Sequence, residues 1–405
     1  MKIIINLVSK LIKNFKNILF WLAVISAFIL FSYYASKFAP LLVSKISYEK
    51  NNQSRESSAP AVNTSNPLIA DSVTATAPTP LVLDTVAYDL KILELANNPP
   101  PKIIYKTVAV KNKAGKLVKS KVPLDPQPAP KPTLWPVHTL YPNPGAILPF
   151  HRIVAYYGNL YSKNMGVLGE YPEAEMLQKL DGEVKKWQAA DPDTPVIPAL
   201  HYIAVVAQGA PGDGGKYRLR MPASEIDKVL AIAAKINALV FLDVQVGFSN
   251  VQTELPLLEK YLKMPQVHLA IDPEFSMKTG VRPGRVVGTL DAEDINFAAN
   301  YLAQLVKENN LTPKILIVHR YTQNMVTHYK LIKPLAEVQI LMNMDGWGGA
   351  AKKINTYQQF IYLEPVQFTG FKLFYKNDVL EKGTVLMAPG ELLKLRPQPI
   401  YIQYQ

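Results

Sequence analysis

From about residue 150 to the C-terminus, short runs of β-branched and aromatic residues alternate with stretches whose apolar positions recur every three or four residues. Strand-like runs occupy 153–157, 196–206, 238–243, 267–272, 314–319, 338–344, 368–374 and 400–404. Helical periodicity predicts helices over 173–190, 224–236, 251–263, 292–309, 323–335, 351–362 and 389–395. Over 292–309, Ile295, Ala299, Leu302 and Val306 fall on one stripe. Ser224 and Asp227 have capping-box spacing, and Asp291 or Thr322 can accept from the free amides of a first turn. Eight such strands in roughly 255 residues, alternating with helices, predict an α/β fold, a (β/α)8 TIM-like barrel. The alternative is a doubly wound open sheet, yet no Gly-x-Gly-x-x-Gly follows the first strand. The segment Val-Arg-Pro-Gly-Arg-Val-Val-Gly (281–288) has the composition of an additional strand.

Upstream the pattern changes twice. Residues 17–36 are uncharged and rich in Ile, Leu, Phe, Trp and Ala, with Lys2, Lys10, Lys13 and Lys16 before them and Lys37 and Lys45 behind. At about 1.5 Å per residue this run spans the hydrocarbon layer. The lysine asymmetry predicts a single-pass signal anchor with a cytoplasmic N-terminus and an extracytoplasmic C-terminal domain. A cleaved signal peptide is the alternative, but no clear Ala-x-Ala site follows. Sixteen of the 33 prolines then fall between residues 60 and 149, the composition of a semi-rigid tether. Within it, 86–96 has the pattern of a short helix, and 103–110 with 116–122 that of a β-hairpin around Asn112-Lys-Ala-Gly115. The expected division is a basic tail and anchor (1–50), a proline-rich linker (51–140) and a barrel domain (141–405) that folds alone.

The 405 residues are 48% hydrophobic and 19% charged, so a sizeable core is available. Cysteine is absent, which removes disulfides, thiol catalysis and Cys-ligated zinc. The net charge of +12 is concentrated upstream: residues 1–50 carry seven basic and one acidic side chain, and residues 151–405 carry 27 and 25. The barrel region is therefore near neutral, and a nucleic-acid partner is not expected.

Candidate chemistry gathers where strands end, the functional face of such barrels. These ends read Tyr156-Tyr157-Gly-Asn, Asp243-Val-Gln245, Asp272-Pro-Glu274, His319-Arg-Tyr and Asp345-Gly-Trp347, with His201 in the second strand. Alternation puts Asp272 and Glu274 on one face. A neighbouring negative charge raises a carboxyl's pKa, so Glu274 is the candidate general acid, with Asp272 as the charge that holds its proton. Asp345 completes the candidate catalytic set. Tyr156, His201, Asp243, Gln245, His319 and Trp347 are candidates for binding a sugar. Asp243 or Asp272 can instead cap a helix, and His319 can be a core histidine. A metal site from His201, His319, Asp243 and Asp345 is conceivable, but the spacing matches no metal motif; no metal or cofactor is expected.

The segments YYGN, GVLGE, LDVQVG, LAIDPEF, VHRYTQNM and MNMDGWGG resemble those of uncharacterised secreted or anchored bacterial barrel proteins. Asp272-Pro-Glu274 and Met342-Asn-Met-Asp345 are also similar to the fourth-strand Asp-x-Glu pair and sixth-strand Met-x-Tyr-Asp motif of family 18 chitinase-type glycoside hydrolases. The earlier aspartates of that fourth-strand signature are replaced by His268-Leu-Ala-Ile. The family resemblance implies a glycoside hydrolase-like activity, and the expected tethered, extracytoplasmic placement suits cell-wall or exported polysaccharide as its substrate. A non-catalytic glycan-binding barrel and a metal-dependent hydrolase are the alternatives.

Overall fold

The computed structural model describes residues 82–127 and 132–405. The expected anchor (17–36) and the start of the linker lie outside the described residues. Among the described residues no helix is long and apolar enough to cross a membrane.

Eight parallel strands close on themselves: β1 (Arg152–Gly158), β2 (Val196–Ala207), β3 (Leu239–Val244), β4 (Val267–Ile271), β5 (Lys314–Arg320), β6 (Val338–Met344), β7 (Phe368–Leu373) and β8 (Tyr401–Tyr404). Each pairs with its neighbour in sequence, and β8 returns to β1 with Tyr401 opposite Ile153. This is the expected (β/α)8 barrel, and every strand lies within two residues of its predicted limits. The 281–288 segment adds no barrel strand. Beyond it, Leu290–Asp291 makes a two-residue pairing with Val326–Thr327 outside the barrel.

Four longer helices carry the outer layer or its approach: α1 (Thr85–Ala96), α2 (Glu173–Ala190), α3 (Ala223–Ala234) and α4 (Ala292–Glu308), followed by α5 (Ala350–Tyr357). The α4 stripe is buried as expected, and Asp291 caps it with a capping box to Asp294. Ser224 makes no cap; Pro222 occupies that position of α3 with no side-chain hydrogen bond. Two predicted helices are broken. Pro256 divides 251–263 into single turns. The 323–335 stretch becomes two 3-10 turns, because Val326 and Thr327 extend to pair and His328 turns left-handed (φ 54°).

Strand alternation divides the apolar residues into two cores. Outward-facing Val154, Leu200, Leu242, Leu316 and Phe371 pack with helix residues such as Leu180, Trp187, Val229 and Leu302. Inward-facing Ile153, Ala155, Ala199, Phe241, Ala270, Ile317 and Leu341 fill the barrel, joined by Tyr88 and Leu95 of α1 and by Leu148. Gln339 of β6 clasps the Leu148 backbone, its Oε1 accepting from N (3.0 Å) and its Nε2 donating to O (2.6 Å). The segment expected to be linker therefore supplies side chains to the core at the N-terminal end of the barrel. Its hairpin, Tyr105–Lys111 with Leu117–Pro123, forms as expected and is largely exposed.

Candidate active site

At the C-terminal end of the barrel a cavity of about 330 Å³ is lined by Tyr157, Gln245, Asp272, Glu274, Tyr321, Asp345, Trp347 and Lys372, among others. Strand alternation explains the roster. In β1, Ile153, Ala155 and Tyr157 face inward, so Tyr157 and not Tyr156 reaches the mouth. Tyr156 points outward, its hydroxyl 3.1 Å from that of Tyr375, which corrects its assignment to sugar binding. In β7 the inward parity runs through Gly370 to Lys372, a lysine only 3% exposed.

Beyond Ile271 the backbone leaves the strand and enters a 3-10 turn, Pro273–Phe275, with Asp272 as its cap. Asp272 Oδ1 accepts from Glu274 N (3.0 Å) and Oδ2 from Gln245 Nε2 (3.2 Å). Burial and the neighbouring Asp243, Glu274 and Asp345 carboxylates raise the Asp272 carboxyl well above its usual range, against the pull of His319. Glu274 is raised first by burial and then by the charge of Asp345, while a hydrogen bond from Tyr321 opposes the shift. Among the neighbouring charges Asp345 raises Glu274 most, where the sequence pointed to Asp272. Asp345 itself goes the other way. Burial would raise it, but Lys372 Nζ at 2.9 Å from Oδ1 and His319 Nδ1 at 3.0 Å from Oδ2 lower it. The ammonium of Lys372 also lies 3.8 Å from the Tyr157 ring centroid.

His201, Asp243 and His319 were expected to bind substrate, but they lie below the cavity floor, each fully buried. They do meet one another. Asp243 Oδ2 is 3.4 Å from His201 Nε2 and 3.5 Å from His319 Nε2. Burial holds His201 down to about 4, despite Asp243. For His319, burial is outweighed by the charges of Asp243 and Asp345, which push it up to about 10. Trp347 sits at the rim, 49% exposed, and Lys352 Nζ lies 4.6 Å from its ring centroid.

Tyr157, Tyr321 and Lys372 escaped the sequence-based list of candidates. The signal for Lys372 was a single lysine in the apolar run Phe368-Thr-Gly-Phe-Lys-Leu-Phe, at the parity of the inward face.

No family model matches this chain, and no curated protein matches it. Among solved structures it is similar to the YdhT protein from Bacillus subtilis, with 12% identity, a TM-score of 0.36, and 66% of this chain and 89% of that chain covered. A Burkholderia cenocepacia dihydropteroate synthase complexed with 7,8-dihydropteroate matches at 10% identity and a TM-score of 0.30, over 64% of this chain and 86% of that one. The Bacillus subtilis mannanase man26 matches at 12% identity and 0.31, over 66% and 88%. At these values the likeness carries no argument about activity.

Proposed function

We propose that this chain is a membrane-anchored, extracytoplasmic glycoside hydrolase-like protein acting on cell-wall or exported polysaccharide. The observation that supports it is a pair of carboxyl groups of opposite character, Glu274 and Asp345, lining one cavity with an exposed tryptophan at its rim. Glycoside cleavage needs one acid to protonate the leaving oxygen and one carboxylate to stabilise or attack the oxocarbenium-like centre. Glu274, whose carboxyl burial and Asp345 raise above the usual range, fits the first role. Asp345, held ionised by the ammonium of Lys372, fits the second. Trp347 offers an aromatic face to a sugar, and Tyr321 orients the Glu274 carboxyl. The anchor rests on the uncharged 17–36 run and its lysine asymmetry.

The test is turnover of amino-sugar and neutral oligosaccharides by the purified chain. Glu274→Gln should lower it by roughly 10²-fold or more, the scale of lost acid catalysis, with the melting temperature nearly unchanged. Binding without turnover would favour a glycan-binding barrel. If wild type neither cleaves nor binds any glycan and Glu274→Gln melts many degrees lower, the pair is structural and the reading fails.

A further inference from the structure

Beneath the cavity floor, three side chains from three strands converge with their donor atoms unused. His201 (β2), Asp243 (β3) and His319 (β5) are each fully buried, and their candidate ligand atoms all lie within 4.8 Å of one another. Among the described residues, His201 Nε2, His319 Nε2 and both Asp243 carboxylate oxygens make no hydrogen bond of good geometry, the Tyr157 hydroxyl and the two imidazoles being the longer polar neighbours of Asp243. Buried polar atoms are almost always satisfied, so four orphans facing one point need an explanation.

Direct histidine–carboxylate hydrogen bonding does not supply it. Such bonds close to about 2.7–2.9 Å when charge-assisted. Here the separations from Asp243 Oδ2 are 3.4 and 3.5 Å. Donors held at about 2.0–2.1 Å around a tetrahedral ion lie roughly 3.3 Å apart. The two separations from Asp243 Oδ2 fit donors sharing an ion better than donors sharing a proton, and the third pair, one ring nitrogen from each histidine, lies within 4.8 Å.

The far side of each ring agrees. A histidine that ligates through Nε2 carries its proton on Nδ1 and donates it to an outer partner. His319 Nδ1 faces Asp345 Oδ2 at 3.0 Å, and His201 Nδ1 lies 2.6 Å from the Tyr401 hydroxyl. The Gln403 amide nitrogen lies 2.9 Å from the same His201 atom and its oxygen accepts from Asn343 Nδ2 at 3.3 Å, so a proton on Nδ1 requires both amides to be turned over.

We propose that His201, Asp243 and His319 bind one divalent transition-metal ion, zinc by the character of the donor set. The ion ties β2, β3 and β5 together below the cavity, and its His319 ligand reaches Asp345 above. The site is independent of the glycan reading, because its test needs no turnover.

Full-length chain without an affinity tag, purified in mild detergent, should contain close to one zinc per chain by elemental analysis. Removal of zinc by a chelator should lower the melting temperature, and zinc sulfate far above its Kd should restore it, by roughly 5 °C; magnesium chloride should not. Asp243→Asn and His201→Gln should weaken zinc binding by 100-fold or more. Their failure to fold would leave the wild-type titration to decide. Metal-free protein whose melting temperature moves with neither chelator nor zinc would overturn the assignment. So would zinc retained unchanged by folded Asp243→Asn.

Discussion

Removing the α1 plug should destabilise the barrel even though it lies outside the (β/α)8 repeat. Tyr88 and Leu95 are 4% and 9% exposed and join the inward-facing core, and Trp135 Nε1 donates to Tyr362 O at 2.9 Å. Asn97 and the Leu95 carbonyl add hydrogen bonds to Leu393, Leu395 and Gln398. Truncating a buried leucine to alanine costs about 2–5 kcal/mol, and a large aromatic about 3–5 kcal/mol. Taking about 2.5 for Leu95→Ala, near the low end because α1 lies at the barrel's end, and about 3.5 for Tyr88→Ala, the double variant loses roughly 6 kcal/mol. Unfolding entropy of about 2.1 cal/mol/K per residue gives roughly 0.7 kcal/mol/K for a unit of this size. The expected falls are therefore about 4 °C for Leu95→Ala and about 9 °C for the double variant. Leu90→Ala is the control: Leu90 is 63% exposed on the same helix and should shift the melt by less than about 1 °C. Thermal melts by circular dichroism measure all three. A double variant that melts within 1 °C of wild type would refute the plug, as would residues 140–405 alone melting like the full chain.

If Glu274 must be protonated for turnover, activity falls as pH rises through its raised pKa. Tyr321→Phe removes the hydrogen bond that lowers that pKa, so the alkaline limb should move to higher pH; a limb that stays put or moves down counts against the assignment. Asp378, 2% exposed, accepts from Lys353 Nζ (2.7 Å), Gly348 N (2.9 Å) and Phe374 N (2.9 Å). Asp378→Ala leaves a buried ammonium unpaired and should cost about 3–5 kcal/mol, read as a denaturant midpoint shift at constant slope. Protease shaving of intact cells should release the barrel, and polar substitution across 17–36 should abolish membrane pelleting. Protection of the barrel until lysis would reverse the proposed topology.

Periodicity along the chain determined the element types. Short, nearly continuous apolar runs marked all eight barrel strands within two residues, because a strand buried on both faces has to be apolar almost throughout. The capped, amphipathic α4 was legible for the same local reason, whereas 323–335 failed where pairing between Val326–Thr327 and Leu290–Asp291 overrode a helical pattern. The acids at strand ends were visible too, since burial gives a strand no reason to end in carboxylates. What they do was decided in three dimensions. Strand parity chose Tyr157 over Tyr156, and the turn at Pro273 took Glu274 off the strand. Barrel closure brought Asp345 and Lys372 from β6 and β7 against residues of β4. His201, Asp243 and His319 are separated by 42 and 76 positions and match no motif. They meet only because a closed barrel points the inward side chains of β2, β3 and β5 at one axis. A pKa or a ligand set is a property of that convergence, and no local spacing encodes it.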